Sequence, residues 1–405
     1  MQPHLYFPFF KQRRVHLGVC GSVAAFKSLE LLRVLRSLQL EVGVTLTPSA
    51  LEFIRPLSFE ALGANPVYNH MFGREHTPFS HLEPAQNAEV LMLAPATANS
   101  IAKLASGLAD ELLACQALAF SGPVLVAPAM NPGLWSASAT QANWQLLAER
   151  GFTLLEPGQG EVACGDTGKG RLPSLESIYL HLLKALSPQD LAGKRVLLTY
   201  GPTREYWDAV RFWSNPSSGT MGASLAIAAW LRGAQVHVVC GPNSLYLPEQ
   251  ISVDRVDTAM DMFKLCQDYW SWADIGCLTA AVCDFRPQPF GGQKFKKAST
   301  GSSLNITFES NPDILATLGA KKKSSQLLIG FAAETDSDLE AAARQKLENK
   351  NLDLILANQI GKPASGFAHH TNEVLVLDRR ARLERWPVLQ KSEVAWRVWD
   401  WIQQI

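Results

Sequence analysis

The chain has 405 residues, 47% hydrophobic and 18% charged, with 37 basic side chains against 37 acidic ones. That length calls for two domains rather than one core. A formal net charge of zero argues against a general nucleic-acid binder, which needs excess cations to neutralise phosphate.

The seven cysteines are an odd, scattered set with no CxxC pair, so they indicate neither a disulfide framework nor a zinc site. A reducing cytoplasm is the expected compartment. No apolar run approaches the length that spans a membrane.

Along the chain, "MQPHLYFPFFKQRR" places apolar residues before its charges and is broken by Pro3 and Pro8. That is the wrong order for a signal peptide, and residues 1–14 are expected to form a flexible tail, disordered or lightly docked. "VHLGVC", "EVGVTLT", "AEVLMLAPAT" and "PVLVAPAM" read as buried strands. Helical patterns lie between them, such as the one carrying Leu31, Leu32, Leu35 and Leu38. Alternation of this kind predicts an α/β domain with a parallel sheet covered on both faces. Its site should lie at the carboxyl ends of the strands.

"ALSPQDLAGK" reads as a linker with Pro188 and Gly193 as breakers, which gives domains at 1–190 and 191–405. The alternation then restarts with "RVLLTYGPT", "QVHVVCGP", "DIGCLTAAVCDF", "QLLIGFAAET" and "DLILAN". A strand at "EVLVLD" and a helix at "VAWRVWDWI" are expected to close the second domain. The fold class is therefore two doubly wound, Rossmann-like α/β domains.

The residues after the strands carry the chemistry. Gly21 and Ser22 sit between a strand and a helix start, where free N–H groups and a hydroxyl suit a phosphate; a Ser-capped turn accounts for them equally well. Thr47, Ser49, Thr97 and Asn99 fall at the same edge. Neither half carries a clean GxGxxG with its acidic partner, which disfavours a dinucleotide-dependent oxidoreductase. Asn131 in "PAMN" is either a helix cap or a carboxylate ligand. His81 and His76 are weak candidates for acid–base work. Cys164 lies in "ACGDTGKGRL", a polar glycine-rich loop with no apolar surroundings, unlike most free cysteines. In the second half, Ser217, Ser218, Gly219 and Gly222 open a helix and form a second possible anion site.

Taken in order, "GSVAAFK", "SHLE", "APATAN", "PAMN" and "ACGDTGKGR" resemble the flavin-dependent cysteine decarboxylase family. "GPTRE", "VRFWSNPSSGTMG", "AAVCDF", "KFKK", "NPDIL", "GFAAET" and "NLDLILAN" resemble the cytidylate-dependent phosphopantothenate–cysteine ligases. Together, from about Arg14 onward, they resemble the bifunctional enzymes of coenzyme A biosynthesis.

The resemblance implies a flavodoxin-like first domain that binds FMN through Gly21, Ser22, Thr47 and Thr97. It implies decarboxylation of phosphopantothenoylcysteine, with Cys164 as the proton donor on a closing flap. His81 would serve the oxidative half, and Asn131 would hold the substrate carboxylate. For the ligase, Asn215 would turn over an acyl-cytidylate, and Arg211 and Ala280 would bind substrate. CTP would meet Ser218, Gly219, Ala280, Asp284, Lys294, Phe331, Lys346, Lys350 and the run Asn311, Pro312, Asp313 and Ile314. Mg2+ is expected with CTP, through metal ligands the sequence does not name, and a homo-oligomer is implied. Five departures stand out: Cys20 for a Ser or Thr, Leu172 for a Met, Pro216 for a His, Cys283 for an Ala, and Thr220 for a Lys. The last removes a positive charge beside the proposed phosphate cradle.

Overall fold

The computed structural model describes residues 2–72, 78–289, 291–296, 303–334, 338–359 and 369–405. The chain divides into two units, Phe7–Ser187 and Pro188–Ile405, the second also including Met1–Tyr6.

In the first unit, strands β1 (Arg14–Val19), β2 (Glu41–Leu46), β3 (Val67–Tyr68), β4 (Val90–Ala96), β5 (Val124–Pro128) and β6 (Thr153–Leu154) form one sheet. Their order is β3-β2-β1-β4-β5-β6 and every pairing is parallel. This is a doubly wound sheet whose strand order reverses between β1 and β4. Both faces are covered, which explains the nearly unbroken apolar runs of the central strands. The helix Lys27–Ser37 buries Leu31, Leu32 and Leu35. The helix Leu112–Ala119 comes so close that a Cβ on Gly18 would sit 2.5 Å from Leu113. After the sheet, β7 (Gly158–Glu161) and β8 (Thr167–Arg171) form an antiparallel hairpin.

The second unit has β9 (Arg195–Tyr200), a hairpin of β10 (Arg204–Tyr206) and β11 (Phe212–Ser214), then β12 (Gln235–Cys240), β13 (Ser252–Arg255) and β14 (Ile275–Leu278). A second hairpin joins β15 (Phe285–Pro287) and β16 (Phe308–Ser310), followed by β17 (Leu327–Glu334), β18 (Leu354–Gln359), β19 (Thr371–Asp378) and β20 (Leu383–Gln390). The eight-stranded sheet runs β13-β12-β9-β14-β17-β18-β19-β20. It is parallel as far as β18, and β19 and β20 then each pair antiparallel to the strand before. Strand order reverses between β9 and β14, which marks the place for a ligand.

Two expectations are corrected, and the segment read as a linker holds the boundary between the units. In place of one strand before the last helix, β19 and β20 form a pair, because β20 mixes apolar and exposed polar positions as an edge strand does. The segment that reads as a linker is packed: Asp190 pairs with Arg232, which also pairs with Asp400, and Leu191 is buried. The expected flexible tail is instead ordered. Pro3–Leu5 makes a 3-10 turn, His4 and Leu5 are fully buried, and the His4 ring bonds the Tyr246 carbonyl at 2.8 Å. Two apolar residues at Leu5 and Phe7 are enough to fix so short a segment by burial.

Candidate active sites

The first cleft lies at the carboxyl edge of β1 and β5 and has a volume of about 370 Å³. Ser22 follows β1 and accepts from the Ala24 N–H at 3.3 Å, starting the 3-10 turn Val23–Phe26. Asn131 follows β5 and caps the short helix Pro132–Ser136, its Oδ1 accepting from the Gly133 N–H at 2.7 Å. That cap orients the amide, so Asn131 Nδ2 donates to the Cys164 thiol at 3.2 Å and to Asp166 Oδ2 at 2.6 Å. Cys164 Sγ lies 3.4 Å from the same carboxylate oxygen.

The β7–β8 hairpin brings Cys164 there. The Met130 N–H donates to Gly170 O at 2.8 Å. Gly170 has φ +152, and a Cβ on it would stand 2.5 Å from Met130 O; only glycine permits this approach. Gly165, at φ +86, makes the turn at the exposed tip beside Cys164. Val23, Phe26, Met130, Val162 and Leu172 give the cleft an apolar wall.

Thr47 and Thr97 occupy the same sheet edge, each capping the element that follows its strand. Gly21 packs against Ser49 at the end of β1. These three flank the cleft without lining it. His81 is not brought to Cys164; its ring lies 6.5 Å from that of Phe79, ahead of the helix Glu83–Asn87. His76 lies outside the described residues.

The second cleft, about 390 Å³, opens at the carboxyl ends of β9, β14 and β17. The segment Ser217–Thr220 begins the helix Thr220–Leu231. Gly219 has φ +75 there, and its would-be Cβ would meet Tyr200 at 2.8 Å. Ser218 Oγ and Thr220 Oγ1 lie 2.9 Å apart. Asn215 Nδ2 donates to Ala281 O at 3.2 Å and Val282 O at 3.1 Å, tying this segment to the loop after β14. Asn311 is fixed by Nδ2 to Cys283 O at 2.8 Å.

Asp313 caps the helix Ile314–Ala320 and pairs with Lys350 at 2.8 Å. Burial alone would raise its carboxyl, but the Ala316 N–H and the Lys350 ammonium outweigh that and hold it below the ordinary value. Lys346 pairs with Glu334. Ala280, Asp284, Pro312, Ile314 and Phe331 complete the expected residues that line this cavity.

Two expected residues stand apart from the wall. Arg211 is held by the fully buried Asp208 carboxylate at 2.5 Å and lies over the Trp207 ring. Lys294 sits on an exposed loop, and the last lysine of the "KFKK" motif lies outside the described residues. Sequence reasoning missed Asn358, Asn372 and Lys391, which also line the cavity; Asn358 ends the "NLDLILAN" motif without having been singled out, and no motif surrounds the other two. Among the described residues no group of three His, Cys, Asp or Glu is placed to hold a metal ion. Among them, too, no helix is long and apolar enough to cross a membrane.

Residues 10–187 match the family model described as Flavoprotein, and residues 191–405 match the DNA/pantothenate metabolism flavoprotein C-terminal domain. The chain is 40% identical over 363 residues to the coenzyme A biosynthesis bifunctional protein CoaBC of Vibrio cholerae serotype O1, across 89% of this chain and 90% of that one. It is also 40% identical over 392 residues to the protein of that name from Bacillus subtilis, across 95% of each. A solved C-terminal domain of a coenzyme A biosynthesis bifunctional protein CoaBC is 37% identical over 53% of this chain and 97% of that chain, with a TM-score of 0.45. Since the likeness to these relatives runs through both cleft-bearing units, the chain belongs to the family of coenzyme A biosynthesis bifunctional proteins.

Proposed function

We propose that the second unit condenses 4′-phosphopantothenate with L-cysteine using CTP, and that the first unit decarboxylates the product to 4′-phosphopantetheine. The observation that carries this reading is the meeting of Asn131 and Cys164 at the carboxyl edge of a doubly wound sheet.

The residues present suit FMN. Hydroxyl-bearing caps at Ser22, Thr47 and Thr97 offer donors to a phosphate, and the apolar wall beside Cys164 suits a flat ring. FMN held between Ser22 and that apolar wall would supply a reversible hydride acceptor for the cysteinyl group. Asn131 offers a neutral donor that holds the substrate carboxylate until it leaves as carbon dioxide. Cys164 Sγ then gives a proton to the carbon framework, and Asp166 beside it is placed to pass a proton on to the thiol. Over the whole reaction one proton replaces one carbon dioxide, and no external oxidant is consumed. The hairpin closes the cleft against water. His81 stands away from the cleft of its own chain, and a homo-oligomer is part of this proposal because a neighbouring copy would present it.

In the second unit the substrate carboxylate must first become electrophilic. It attacks the α-phosphate of CTP, pyrophosphate leaves, and the cysteine amine then displaces CMP from the acyl-cytidylate. Ser218, Gly219 and the start of the helix Thr220–Leu231 supply hydroxyl and N–H donors for phosphate. Lys346 and Lys350 add positive charge, and Phe331 offers a face for the base. Asn215 keeps the loop after β14 against the acyl group. Mg2+ would travel mainly on the triphosphate, with Asp284 as its protein carboxylate.

The test is a reaction of purified protein with 4′-phosphopantothenate, cysteine and CTP, following CMP and carbon dioxide separately. Wild type should release both, whereas Cys164→Ala should release CMP and stall before phosphopantetheine. A Cys164→Ala protein that makes phosphopantetheine normally overturns the decarboxylase reading. A wild type that releases no nucleoside monophosphate from any nucleoside triphosphate overturns the ligase reading.

A further inference from the structure

The wall of the second cleft includes a lysine far in sequence from every motif residue of the site. Two antiparallel steps, β18 to β19 and β19 to β20, return β20 to the direction of the parallel strands. The helix Lys391–Ile402 after β20 therefore starts at the carboxyl edge of the sheet, where Thr220 starts its own helix. The Lys391 N–H donates to His370 O at 3.1 Å, which fixes that start. Lys391, Ser218, Gly219 and Thr220 all open on the same cavity.

Lys391 is only 5% exposed. Burial pushes its ammonium down to about 8, the expected response of a cation removed from water. An anion entering the cavity would favour the charged form again, and a charge screened so little by solvent acts strongly on it. Lys346 and Lys350, further lysines of this wall, are more exposed to solvent. Position 220 has a hydroxyl and no charge. A phosphate seated at this helix start thus meets Ser218, Thr220 and N–H groups from one helix, with the cation supplied by the other.

We propose that Lys391 binds a phosphate oxygen of a ligase substrate, opposite the start of the helix Thr220–Leu231. The inference rests on the ligase reading of this cleft. Two substrates offer the same chemistry: the triphosphate of CTP and the phosphate monoester of 4′-phosphopantothenate.

The experiment measures KM for CTP and for 4′-phosphopantothenate by CMP release, in full-length wild type, Lys391→Met and Lys391→Gln. Met keeps most of the stem and Gln keeps a neutral donor, so the comparison uses the variant that melts with wild type. The expected result is a KM raised roughly 10- to 100-fold for one of the two substrates, the scale of a lost charged hydrogen bond. The KM for cysteine, and decarboxylation of supplied phosphopantothenoylcysteine, should hold steady. The substrate whose KM moves identifies the phosphate. A natively melting neutral variant with both values unchanged overturns the inference and leaves the ligase reading intact. A wild type inert with every nucleoside triphosphate overturns both.

Discussion

Asn131 donates its side-chain amide to the Cys164 thiol at 3.2 Å while the same amide accepts from the Gly133 N–H at 2.7 Å. One side chain thus starts a helix and sets the position of the loop that carries the proposed acid. Replacing Asn131 with Asp puts a carboxylate opposite Asp166, where an N–H now donates at 2.6 Å. Like charges there should push the hairpin tip away. Decarboxylation should fall by roughly 100-fold or more, and amide hydrogen exchange across residues 158–171 should quicken. CMP release should stay at the wild-type rate. Unchanged exchange in the hairpin would contradict the positioning role given to Asn131.

Gly170 tests the same hairpin from its other strand. Its φ of +152 is poorly tolerated by other residues, and a methyl would lie 2.5 Å from Met130 O. Gly170→Ala should cost about 1–3 kcal/mol locally and lift β8 away from the segment Ala129–Asn131. The expected readout is loss of decarboxylase turnover with ligase KM values preserved. Normal turnover in this variant would mean the close approach is dispensable.

Asn215 bridges the Ser217–Thr220 segment to the carbonyls of Ala281 and Val282. Asn215→Ala leaves both oxygens without that donor and frees the loop after β14. The amide-forming step should slow by roughly 100-fold, so that acyl-cytidylate accumulates and is detected by mass spectrometry in quenched reactions. A variant that turns over at the wild-type rate with no such build-up would remove Asn215 from the site.

His16 predicts a pH dependence. Its Nε2 lies 2.7 Å from Thr45 Oγ1, which itself donates to Gln116 Oε1 at 2.7 Å, and Gln116 Nε2 donates to Ser80 O at 2.9 Å. Thr45 has given its proton away, so Nε2 carries the hydrogen of a neutral ring. Burial lowers the His16 pKa from 6.5 to about 3. The unfolded chain therefore binds a proton that the folded one refuses. This contribution to stability is full above pH 6.5 and declines, by up to about 1.4 kcal/mol per pH unit, as pH falls toward 3. Urea melts of the first unit at pH 7 and pH 5 should show wild type losing more than His16→Gln. Equal losses in both proteins would exclude His16 as the cause.

The sequence by itself determined the alternation of strands and helices and which polar residues follow the strands at the sheet edges. Both are local properties. A strand buried on two faces must be apolar throughout, and a polar residue just beyond it, such as Ser22, Thr97 or Asn131, caps the next element and lies at the sheet edge. Position in the motif was then nearly position in space. The ordered start of the chain was hidden because His4 and Leu5 are buried by contacts with distant residues such as Tyr246. Arg211 matched a motif, yet the buried carboxylate of Asp208 holds it outside the wall. Lys391 had no motif at all. It reaches the second cleft only because β19 and β20 reverse twice, placing a residue 171 positions beyond Thr220 at the same sheet edge. Only the tertiary structure decided its burial, because desolvation depends on which surfaces meet and not on neighbours along the chain.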